Sequence, residues 1–131
     1  MTQVIIYTNE NGNVSVCIPT NDLPIEEVLA KDAPHGAIIV DAEILPHEDD
    51  DFFNAWRFKN NTISVDLEVA RSIQLQRFNA AAITEAATRA MNVSTGIENA
   101  LTDAEFLAHL STKRAAIAAA TSTAELRAVT L

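Results

Sequence analysis

The chain has one cysteine, three glycines and four prolines in 131 residues. Each scarcity excludes something. A lone Cys17 leaves no partner for a disulfide within the chain and no cysteine zinc site. Inside the apolar run VSVCI it reads as a small buried hydrophobe. Gly12, Gly36 and Gly96 are isolated, so no glycine-rich loop can cradle a phosphate. No apolar run approaches the ~20 residues that span a bilayer, and MTQVIIYT has neither the basic start nor the apolar centre of a secretion signal. The glycosylation-like triplets at Asn13, Asn60 and Asn92 are therefore expected to be coincidental.

Basic residues are scarce where acids are dense. Residues 1–56 hold 11 acids and a single base, Lys31, for a net of −10; residues 57–131 hold 7 acids and 8 bases, for a net of +1. Without a Lys/Arg cluster, neither nucleic acid nor an anionic membrane surface is expected as a partner.

Catalytic groups are equally sparse. His35, His47 and His109 share no ligand spacing, and no Gly-x-Ser-x-Gly occurs. Glu48-Asp49-Asp50-Asp51 is the one dense polar cluster. Consecutive acids lack both the alternation and the turn glycine of a calcium loop, and they do not span a cleft as a paired-carboxylate site must. The run is read instead as an electrostatic contact for a basic partner. No catalytic, cofactor or metal residues are assigned, and an enzyme is not expected.

All four prolines lie in the first 46 residues, and that shift marks a turn-rich front and a helical back. Gln3–Thr8 and Val14–Ile18 flank Asn-Gly, a hairpin signal because both residues tolerate positive φ. Asp22 is placed to cap a short helix carrying Ile25, Val28 and Leu29 on one face. Ala37–Val40 reads as a buried strand, and Ala42–Asp51 as a loop. A second hairpin pairs Ala55–Phe58 with Thr62–Val65, and its Trp56, with Phe52, Phe53 and Phe58, reads as the core of a small domain.

Asp66 can cap a long helix from Leu67 whose apolar spacing, Val69, Ile73, Ala80, Ile83, Ala87 and Met91, predicts a buried stripe. Asn92–Gly96 should break it. Thr102–Glu105 is a capping box for a second helix with Phe106, Leu110 and Ile117 inside, and Ser122–Glu125 repeats the device before a last short helix. The fold class is α+β: a small antiparallel sheet of two hairpins and a short strand with one short helix (residues 1–65), then an Ala-rich helical hairpin (66–131). Alanine faces bury little area each, so the helical part is expected to pack on the front, on another copy or on a larger partner. Ile73, Ala80, Ala87, Leu110 and Ile117 are the helix-packing candidates, within or between chains.

The segments VIIYTNENGNVSVCIPT, IEEVLAKDAPHGAIIVD and FFNAWRFKNNTISVDLEVARSIQLQRFNAA, in this order around an acidic loop, resemble small proteins of tailed bacteriophages and prophages. In these, an AWR strand and a VDLEKA-like strand end lead into a helix rich in Ala, Gln and Arg. Relatives lie among tail, tail-fibre or lysis genes, and the helical back resembles tail-fibre assembly and tail assembly chaperone proteins. The chain ends TAELRAVTL, where such chaperones often carry Trp or Pro. The resemblance implies a structural protein of the virion, made in the host cytoplasm and contacting other phage structural proteins or further copies of itself. An assembly chaperone that leaves the particle is the alternative, and a small acidic inhibitor of a host or defence protein a second.

Overall fold

The structure, a computed structural model, describes residues 2–20 and 22–131. The chain divides into two compact units, Met1–Asp66 and Leu67–Leu131. The first holds 12 acids and 3 bases and the second 6 of each, so the whole excess of negative charge belongs to unit 1.

Unit 1 is built on a three-stranded antiparallel sheet in the order β2-β1-β3, from β1 (Gln3–Thr8), β2 (Val14–Cys17) and β3 (Ile38–Asp41). Asn9 makes the first turn. Its side-chain Oδ1 accepts the N–H groups of Asn11 and Asn13, and Gly12 supplies the positive φ of 81°. Side chains alternate across the strands. Val4 and Ile6 face one way with Val14, beside Val16, Ile38 and Val40. A separate two-stranded sheet, β4 (Trp56–Lys59) with β5 (Thr62–Val65), covers this face with Trp56, Phe58, Ile63 and Val65.

The hairpin turns on Asn60 and Asn61, at φ 53° and 60°. Two consecutive left-handed residues make a type I′ turn, whose twist matches that of the strands it joins. The helix α1 (Ile25–Asp32) packs against β1 and β3. It has Glu26 and Glu27 in its first turn and Lys31 in its last, the signs its dipole favours. Asp22 does not cap it; Pro24 occupies the N-cap position without a side-chain bond, and the Asp22 carboxylate accepts from Thr20 Oγ1 instead.

Ala42–Asp51 is not an open loop. Two 3-10 segments, Ala42–Ile44 and His47–Ala55, carry the chain across. Asp41 caps the first through Glu43 N–H. In the second, the Asp49 N–H donates to Pro46 O at 2.9 Å. The Trp56 indole then donates to Asp49 O at 3.1 Å, inside the core, so a buried aromatic ties the acidic segment down. Trp56 and Phe52 are fully buried while Phe58 is half-buried; Phe53 lies at the surface, its ring 4.8 Å from that of Trp56.

Unit 2 consists of α2 (Leu67–Thr95), α3 (Asp103–Ala119) and α4 (Thr123–Ala128). The first helix does not break at Asn92 but runs to Thr95. It stops at Gly96, at φ 76°, with Ile97 N–H donating to Asn92 O and Gly96 N–H to Val93 O. This paired closure is a Schellman end, which needs a residue free to be left-handed. Thr102 and Glu105 form the expected capping box. Ser122 accepts from Glu125 N–H, but the Glu125 carboxylate reaches one residue further back, to Thr121 N–H and Oγ1. The backbone N–H and hydroxyl of Thr102 hold the Glu105 carboxyl below its ordinary 4.5, and those of Thr121 do the same for Glu125.

Two side chains of α2 bind the ends of the shorter helices. Arg71 donates twice to Ala120 O, at 3.0 and 2.7 Å, and Gln74 donates to Val129 O at 3.0 Å. Both carbonyls lie just past a helix end, where no intrahelical donor reaches.

Candidate interaction surface

Helix α2 is buried along Ala70, Gln74, Phe78, Ala82 and Arg89, not along the stripe expected from its apolar spacing. At 100° per residue the two stripes lie roughly 160° apart, on opposite sides of the helix. The larger residues explain the choice. Phe78 brings the greatest apolar area and is buried on the side of α2 that packs on α3 and α4, whose own buried residues are Phe106, Leu110, Ile117 and Leu126. Gln74 and Arg89, counted as polar in a sequence reading, are buried because both have partners. Arg89 lies 2.8 Å from the Asp103 carboxylate and 4.6 Å above the Phe106 ring. Its aliphatic stem adds to the packing, and its partner Asp103 stays in solvent.

Two of the helix-packing candidates, Leu110 and Ile117, are thus core residues of unit 2. Three lie on the other face of α2, where Ala80 and Ala87 are exposed and Ile73 is half-buried. On that face Ile83 is 71 % exposed and Met91 63 %. The expected buried stripe is therefore an uncovered apolar face, bordered by Ser72, Arg77, Asn79 and Thr84.

The acidic run is divided by its 3-10 geometry. Glu48, Asp50 and Asp51 are exposed, but Asp49 is turned inward and only 9 % exposed, which removes it from any outward contact. His47 Nδ1 stands 3.6 Å from the Asp50 carboxylate and Nε2 2.7 Å from Ala42 O. Among the described residues no three His, Cys, Asp or Glu side chains stand together as metal ligands. Cys17 is half-buried, His35 is exposed and His109 is half-buried on α3. An open groove between α2 and α3 takes in His109 with Glu85, Arg89, Asn99 and Leu101; its central cation, Arg89, is already paired. No helix among the described residues is long and apolar enough to cross a membrane.

Sequence reasoning missed Gln74, Arg71 and Arg89. Their signal was present as spacing: 71, 74, 78, 82 and 89 follow the helical repeat, but three of the five are polar. Comparisons with protein-family models, with curated proteins and with solved structures give no match.

Proposed function

We propose that this chain is a structural component of a tailed bacteriophage, acting through protein contacts in the virion. The observation that carries a contact function is the uncovered apolar face of α2. A helix in a small domain normally buries its single apolar stripe; here Phe78 anchors one side and Ile83 and Met91 stand in solvent on the other. Exposed apolar surface of this kind marks interaction sites. The assignment to phage comes from the sequence resemblance, and the segregation of charge into unit 1 is consistent with a chain that meets different neighbours with its two units. The exposed Glu48, Asp50 and Asp51 would serve a basic neighbour.

The test is mass spectrometry of purified mature particles of a phage that encodes the chain. Presence at a reproducible, symmetric copy number is the expected result. Absence from particles, with abundant protein in infected cells, would overturn the virion assignment and favour an assembly chaperone or an acidic inhibitor; a pull-down from those cells separates the two.

A further inference from the structure

We infer that the exposed face of α2 pairs with the same face of a second copy, antiparallel and about a two-fold axis. The inference deepens the contact reading above and rests on it. Val69, Ile73, Gln76, Ala80, Ile83, Ala87 and Ala90 recur at intervals of 4, 3, 4, 3, 4 and 3, the spacing of a coiled-coil seam. None is charged, in a chain of net −9.

Residue sizes select the arrangement. When two copies run antiparallel with position 80 opposite position 83, each layer sets a large side chain against a small one. Ile73 meets Ala90, Gln76 meets Ala87 and Ala80 meets Ile83; the two-fold axis repeats all three. Alternating large and small residues fill space at a helix pair, and an isologous contact requires this kind of self-complementarity. A parallel pairing fails the same test. It would place Ala80 on Ala80 and Ala87 on Ala87, leaving voids, and would put Gln76 on Gln76.

The area is sufficient for a weak dimer. From Val69 to Met91 the face runs about 33 Å, and a helix is about 10 Å across. That gives a projected face of roughly 330 Å² per copy. Its corrugated surface is larger, so two copies bury on the order of 1,000 Å², the size of weak, transient interfaces. Charge permits the approach, because unit 2 carries as many bases as acids. Repulsion comes from the twelve acids of unit 1 and is screened by salt.

The experiment is sedimentation equilibrium on the full chain from about 1 to about 200 μM, a range that brackets micromolar dissociation constants. A monomer–dimer equilibrium that tightens with added salt is expected. Ala80→Arg with Ala87→Arg should weaken it at least tenfold without moving the melting temperature of dilute, monomeric protein, since both positions are exposed. Orientation is read by cross-linking in a Cys17→Ser background. An oxidised mixture of Ile73→Cys and Ala90→Cys chains should give the mixed disulfide, with each variant alone giving little. Self-cross-linking of Ile73→Cys alone, or a monomer at every concentration, would overturn the pairing. A monomeric chain found in particles would leave the virion reading standing; a dimer missing from particles would remove the virion reading and keep the pairing.

Discussion

Phe78→Ala and Ile83→Ala remove apolar side chains five residues apart on one helix, and the structure assigns them opposite outcomes. Phe78 is 3 % exposed, with the Arg114 guanidinium 6.0 Å from its ring. Truncating a buried Phe costs about 3–5 kcal/mol, the lost transfer energy plus the cavity left behind. Unit 2 spans only residues 67–131, and a core of that size supplies about 3–5 kcal/mol of net stability. Phe78→Ala should therefore consume most or all of the stability of unit 2. Ile83 is 71 % exposed; its replacement should fall within about 0.5 kcal/mol, with the better helix propensity of Ala acting in its favour. Urea titrations of dilute protein followed by far-ultraviolet circular dichroism measure both. Equal losses in the two variants, or a larger loss at Ile83, would refute the assignment of buried and open faces.

Three further outcomes follow from the geometry. Trp56→Phe leaves Asp49 O without the indole donor and should cost about 1–3 kcal/mol, with faster amide hydrogen exchange in residues 47–55; unchanged exchange there would contradict the tether. Thr102→Ala should cost about 1 kcal/mol through the lost cap, read by thermal melting. Because the folded-state Glu105 carboxyl is held below its ordinary 4.5, its contribution is present above that value and is lost as pH falls through the lower folded value; Glu105→Gln should flatten this part of the acid melting curve. At the type I′ turn, Asn61→Gly should be neutral or stabilising by a few tenths of a kcal/mol, whereas Asn61→Val forces a β-branched residue to positive φ and should cost about 1–2 kcal/mol. Similar melting temperatures for the two would contradict the turn assignment.

Local rules carried most of the fold. Asn-Gly, the two consecutive asparagines and Thr102–Glu105 each satisfy backbone groups within a few residues, so the hairpins, the turn and the capping box were legible without tertiary information. Four acids in a row read as a solvated loop, while the interaction that ties the segment down is an indole bond to Asp49 O from seven residues away. The buried face of α2 escapes the sequence for a different reason. Apolar periodicity finds a stripe but cannot say which of two stripes a helix buries inside its own unit. Phe78 outweighs a row of alanines, and Gln74 and Arg89 join it only because Val129 O and Asp103 are there to receive them. The helix-packing candidates divide accordingly: Leu110 and Ile117 pack within the unit, whereas Ala80 and Ala87 are exposed.

The uneven charge has a practical consequence. With twelve acids to three bases before Leu67 and an even balance after it, a positively charged matrix at neutral pH would hold the chain by its first 66 residues. Adsorption would thus run through unit 1 without any engineered tag, and unit 2, with its even balance of charge, would contribute little to it.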